Sequence, residues 1–243
     1  MKQSVFTSIV LVAAFAIGYT IYTFMLPQFI VDGGPLVIAL IALLLMLLTF
    51  IFERIFSLRK AQGRGSVPVF LKNVQQEINA GNIDGAIDVC DKQRGSCANI
   101  LRTGLERYKM LLDEGDVKGQ KAVMDDVNHA IEEATMLEVP LLERNLVAMS
   151  TIASISTMVG LLGTVIGMIR SFAALARQGS PDSAQLAHGI SEALINTAGG
   201  IAAGIGGIVA YNFFVTKVDN FTYMIDEASY SIVQSLTSKR GKK

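Results

Sequence analysis

The chain has 243 residues, of which 51% are hydrophobic, with no tryptophan and a mean hydropathy of +0.45. Lys+Arg and Asp+Glu balance at 21 each, so no global charge directs the protein to nucleic acid. Residues 53–144 hold 13 of the basic and 15 of the acidic residues, between long uncharged flanks. That distribution excludes a single soluble globule and predicts an all-α polytopic membrane protein with one soluble insert.

Four runs approach the roughly 20 apolar residues that a bilayer requires. They are 5–26, 35–52, 145–169 and 193–216, the last two without a charge. The first contains Ala14-Phe15-Ala16, which has the form of a signal-peptidase site. Its apolar character continues well past Ala16, however, and it is read as a retained helix. Positive charge follows the second run (Arg54, Arg59, Lys60, Arg64) and the fourth (Lys217 and "SKRGKK"), whereas 27–34 has none and 176–189 only Arg177. Cytoplasmic flanks carry the Lys/Arg excess. The expected division is therefore 1–34 for an N-terminal helix and outer loop, and 35–52 for a second helix. A cytoplasmic helical domain over 53–144 comes next. A membrane hairpin occupies 145–216, and 217–243 form a cytoplasmic helix and basic tail.

The insert has helical periodicity and no alternating pattern. Val69, Phe70, Val74 and Ile78 form one face, followed by a turn at Gly81-Asn82 and a second helix with Ile83, Ala86, Ile87 and Cys90. A third helix ends near Gly115. A fourth places Val123, Val127, Ala130, Ile131, Ala134 and Leu137 on one face, and only Pro140 separates it from the third membrane run, so one long helix is expected there. Cys90 and Cys97 are read as reduced thiols on or between helices. His129 is the insert's only histidine and lies on an acidic helix. No phosphate loop, metal-ligand spacing or nucleophile–base pair is present, so neither an enzyme nor a cofactor is expected.

The two C-terminal runs are rich in small residues. Gly160, Gly163, Thr164 and Gly167 have the spacing that lets membrane helices approach closely. Of the 18 residues from Ala193 to Ala210, 10 are Gly or Ala. On a helical wheel Glu192 heads a stripe with Asn196, Gly199, Ala203, Gly206 and Gly207, while Ala193, Thr197, Gly200 and Gly204 form an adjoining one. Two small faces suit a helix with neighbours on both sides, or with one side on a cavity. Packing alone accounts for the glycines. Glu192 could flank the span at its outer boundary or line a pathway, and both placements stay open. In an antiparallel hairpin Thr164 and Thr197 share a depth, about 8–9 Å below Arg170 and Glu192. The spans offer hydroxyls but one acid and no Lys or His, too few groups for a complete proton relay.

The blocks "LERNLVAMSTIASISTMVGLLGTVIGMIRSF" (142–172) and "ISEALINTAGGIAAGIGGIVAYNFF" (190–214) resemble the paired signatures of the ExbB/TolQ/MotA proton-channel proteins, ExbB most of all. The resemblance implies a homopentamer in the bacterial inner membrane around an ExbD-like single-span partner whose transmembrane Asp carries the proton. It further implies work passed to a TonB-like protein that opens outer-membrane transporters. It places Thr164, Glu192 and Thr197 on the proton path, with Gly160, Gly163, Gly167, Gly199, Gly200 and Gly204 as packing positions. Two departures stand out: Thr157 and Gly206 occupy places where the family usually has proline. A TolQ-like or gliding or flagellar stator with another client is the first alternative. A stand-alone transporter and an intramembrane enzyme based on His188 follow.

Overall fold

The computed structural model describes residues 3–113, 119–176 and 182–240. Gly115, Arg177 and the last tail residues lie outside them. The described residues are helical, without a strand: α1 (Gln3–Phe24), α2 (Gln28–Val31), α3 (Leu36–Gln62), α4 (Val67–Ala80), α5 (Ile83–Gln93), α6 (Ser96–Asp113), α7 (Gln120–Glu143), α8 (Leu146–Leu175) and α9 (Ser183–Arg240). Three helical stretches among them are long and apolar enough to cross a membrane, Leu36–Ala80, Lys121–Leu175 and Ser183–Ser238. Their apolar parts lie in α3, α8 and α9. In α1 the apolar stretch Ser8–Phe24 is shorter. Of the four spans expected from the sequence, three thus meet that length and composition.

The chain divides into two compact units, Met1–Glu53 with Asn145–Phe214, and Arg54–Arg144 with Val215–Lys243. In the first, α1 lies against α3 through its smallest residues. Ala14 is buried, and a Cβ at Gly18 would sit 3.3 Å from the Ile38 carbonyl. The rest of α1 turns Val12, Phe15 and Tyr19 outward. Such an apolar exterior suits lipid rather than water.

The single long helix expected through Pro140 is interrupted, but not at the proline. Pro140 lies inside α7, and the helix ends at Glu143. A proline removes one backbone donor, which an exposed turn tolerates more readily than a buried one. The break comes at Asn145, whose φ of 65° is left-handed and ends helical geometry outright. Asn is one of the few residues that adopt this conformation at low cost. Its side-chain amide donates to Glu53 Oε2 at 3.1 Å.

In the second unit Gly81 closes α4 with φ 86°, and the Asn82 side chain caps α5 by accepting from the Gly85 N–H at 3.0 Å. The core collects Phe70, Val74 and Ile78 of α4, Ile100, Leu101 and Leu105 of α6, Val127 and Ile131 of α7, and Ile225, Ile232 and Leu236 of α9. Two expected face residues do not belong to it. Val69 is exposed while Val67 is buried, and Leu137 is exposed because it stands about 120° from Ile131 around α7. Arg54 is fully buried and donates to the Leu142 carbonyl at 2.9 Å, covering one of the acceptors left open where α7 ends.

Cys90 and Cys97 are free and buried. Burial pushes both thiols from 9.0 up to about 12, with Cys97 adding to the effect at Cys90. At pH 8 about one thiol in 10⁴ is thiolate in the folded chain, against roughly one in ten when unfolded. Iodoacetamide should therefore label the native protein at least about a hundredfold more slowly than the denatured one. The sign of the linkage also follows. Stability from these thiols is full below pH 9 and is lost as pH rises from 9 towards 12. Thermal melts at pH 8 and pH 10.5 check this, with the lower Tm expected at pH 10.5.

Candidate functional site

The site lies in the first unit, where α8 and α9 pack antiparallel: as the α9 number rises, its α8 partner falls. A Cβ at Gly167 would meet the Gly189 carbonyl and Ala193. One at Gly163 would meet the Asn196 side chain, and one at Gly160 the Asn196 carbonyl at 2.9 Å and Gly200 Cα at 3.0 Å. A Cβ at Gly200 would fall 2.6 Å from the Ser156 carbonyl, and one at Gly204 would abut the Thr157 hydroxyl. Five of the six glycines singled out in the sequence lie on this seam. Gly199 does not; a Cβ there would meet Leu40 of α3 at 3.3 Å. The stripe of Ala193, Gly200 and Gly204 thus faces α8, while the stripe headed by Glu192 is shared: Asn196 meets Gly163 of α8, Gly199 meets Leu40 of α3, and Gly207 meets Ala153 of α8 and Leu47 of α3.

Along this seam lies a polar column. Glu192 is buried, its side chain 5% exposed. Both of its oxygens contact Arg170 Nη1, the second at 2.6 Å. Neither placement left open by the sequence included this pair. Lone charges within membrane segments are costly and tend to find one another. Arg170 is the only cation in α8 and Glu192 the only acid between Asp182 and Asp219, a signal that sequence reasoning used for depth and not for pairing.

About one and a half helical turns further along, the hydroxyls of Thr164 and Thr197 hydrogen-bond each other. Thr197 Oγ1 also lies 3.0 Å from the Ala193 carbonyl and 3.3 Å from that of Gly160, and Thr164 Oγ1 3.4 Å from the latter. Thr151, Ser154, Ser156 and Thr157 each donate to the carbonyl four residues back, which satisfies the hydroxyl within its own helix. The threonine pair differs by also crossing between helices.

Asn196 was placed on the Glu192 stripe but not among the site residues. It is fully buried, and its Nδ2 donates to the Gly33 carbonyl at 2.7 Å and the Glu192 carbonyl at 2.9 Å. Its Oδ1 is buried without a partner. The positions at which family prolines are replaced are quiet: α8 runs unbroken through Thr157 and α9 through Gly206, where a Cβ would meet nothing within 4 Å. His188 is exposed.

A sequence profile of the MotA/TolQ/ExbB proton channel family matches residues 92–227, more than half of the chain. Among curated proteins, the Tol-Pal system protein TolQ of Pseudomonas aeruginosa is 39% identical over 118 residues, 49% of this chain and 51% of that protein. The biopolymer transport protein ExbB of Pseudomonas putida is 24% identical over 160 residues, 66% of this chain and 48% of that protein. ExbB of Salmonella typhimurium is 35% identical over 85 residues, 35% of each. The chain thus spans about half the length, or less, of these relatives. Arg170, Glu192 and both threonines fall inside the profile match, whereas α1, α2 and α3 lie outside it.

Proposed function

This chain belongs to the MotA/TolQ/ExbB proton channel family, and we propose that it is an ExbB-like subunit of an inner-membrane motor that draws on the proton gradient. The observation that carries the reading is the polar column on the α8–α9 seam. A buried Glu192, paired with Arg170, stands about one and a half turns from a hydroxyl pair in an otherwise apolar hairpin. Hydroxyls relay protons but do not titrate near neutral pH. The titrating group is supplied by a second component, an ExbD-like single-span protein with a transmembrane Asp, around which copies of this chain form a pentamer. Each charge moved contributes about 2.3 kcal/mol per 100 mV, delivered to a TonB-like protein. The insert and the C-terminus face the cytoplasm.

A TolQ-like motor with a Tol-Pal client is the second reading. It is favoured by the 39% identity to TolQ over 118 residues, higher than that to either ExbB protein above. Co-purification with the single-span protein encoded next to it, followed by native mass spectrometry, tests both. A pentamer holding a partner dimer is expected, and the periplasmic domain of that partner separates the clients. A lone monomer overturns the motor.

A further inference from the structure

We propose that Asn196 is a positioning residue for Glu192, fastening the turn at Gly33–Gly34 over the acid so that a segment outside the family match completes its site. The inference rests on the reading of Glu192 as a pathway residue.

The orientation of the Asn196 amide is fixed by its surroundings. Two carbonyls, of Gly33 and Glu192, converge on Nδ2, and only an N–H₂ can satisfy both. Oδ1 must then face away, where it is buried and unpaired. An unsatisfied buried acceptor is destabilising. If packing were the only requirement, Ala would serve here, as it does at neighbouring Ala193 and Ala203. The amide is retained for what its donor holds.

What it holds is the turn. Tyr22 donates to the Val31 carbonyl at 3.1 Å, and the N–H groups of Gly33 and Gly34 close it on Ile30 and Val31 at 3.0 and 2.9 Å. The Asn196 bond joins this element to α9. The turn then reaches the carboxylate itself. Gly34 has φ +74°, and a Cβ there would fall 2.6 Å from Glu192 Oε1 and 3.8 Å from Arg170 Nη1. Glycine is required twice over, for its conformation and for the space. Glu192 is thereby confined by Arg170 of α8, by the backbone of the turn, and by Asn196 one turn along its own helix.

The test uses proteoliposomes holding the full chain with its single-span partner. Proton uptake is driven by a potassium diffusion potential and read with a pH-sensitive dye. Asn196→Ala and Gly34→Ala are each expected to slow uptake about tenfold or more, at unchanged protein level and oligomeric mass. A covalent tether then separates positioning from chemistry. A Cβ on Gly33 would lie 2.8 Å from Ile195 Cγ2, so Gly33→Cys with Ile195→Cys places two thiols within reach of a disulfide. In a Cys90→Ala/Cys97→Ala background, oxidising this pair should restore uptake of Asn196→Ala to within about twofold of the tethered parent. Wild-type uptake in Asn196→Ala overturns the proposal. So does a closed tether that restores nothing, which would assign the function to Oδ1. If Asn196→Ala fails to insert, full uptake in Gly34→Ala overturns it instead. A Glu192→Gln arm keeps the two readings apart: full uptake there removes Glu192 from the pathway, while loss there with full uptake in Asn196→Ala removes only the role of Asn196.

Discussion

Thr164→Val/Thr197→Val should lower gradient-driven proton uptake at least about tenfold, close to 1.4 kcal/mol on the barrier for each factor of ten, while leaving the oligomer intact. The double change is more informative than either single one. A single change leaves the other hydroxyl in place on its own carbonyl acceptor, whereas replacing both with groups of the same shape removes the pair and is nearly neutral for stability. Valine has the shape of threonine, so the helices need not separate to accommodate it. Loss of uptake with unchanged thermal stability assigns the pair to the path. Unchanged uptake sinks that assignment, and with it the chemical use of the column below Glu192. Native mass spectrometry of the same preparation shows whether assembly survived.

Gly200→Val should have the largest effect on stability. A Cβ at Gly200 would lie 2.6 Å from the Ser156 carbonyl and 2.7 Å from Gly160 Cα. Both contacts are backbone, which cannot rotate away. Overpacking of a tight core typically costs about 1–3 kcal/mol, and valine adds two further methyl groups at the point of closest approach. The expected result is a hairpin forced apart, read as a lower Tm in detergent and faster proteolysis. Gly206→Val in the isolated chain is the control, because a Cβ there meets nothing within 4 Å. Its effect on stability should stay within about 0.5 kcal/mol. Equal losses at the two positions would mean that general helix propensity, not the seam, governs this part of α9.

Much of this was legible in the sequence because the governing periodicities are simple. The spacing of Gly160, Gly163 and Gly167 announces a close helix approach, and counting inward from Arg170 and Glu192 brings Thr164 and Thr197 to one depth. The turn at Gly81-Asn82 was legible because αL and N-cap positions select those residue types. The interruption at Asn145 was not, since Asn is compatible with a helix and Pro140 offered a more obvious breaker. Leu137 was placed on the buried face of α7 because a wide apolar stripe does not reveal where its edge falls. Least legible was the enclosure of Glu192. The Gly33–Gly34 turn is about 160 residues away in the chain, and no local pattern connects it to an acid in α9.

The threonine contact has a consequence for direction. Thr164 and Thr197 hold two hydroxyl hydrogens between them, and either oxygen can be the donor. In one arrangement Thr164 donates to Thr197, whose hydrogen goes to the Ala193 carbonyl; in the other Thr197 donates to Thr164, whose hydrogen goes to Gly160. Neither requires a heavy atom to move. The pair can therefore be polarised either way along the hairpin, with the Ala193 acceptor at 3.0 Å closer than the Gly160 acceptor at 3.4 Å. If the pair lies on the proposed proton path, a hydrogen passed through it leaves it reversed, so both hydroxyls must rotate back before another can follow in the same sense. On the proposed proton path, the direction of net flow is set by what lies on either side of the pair: the ion-paired acid at one end and the imposed gradient across the whole.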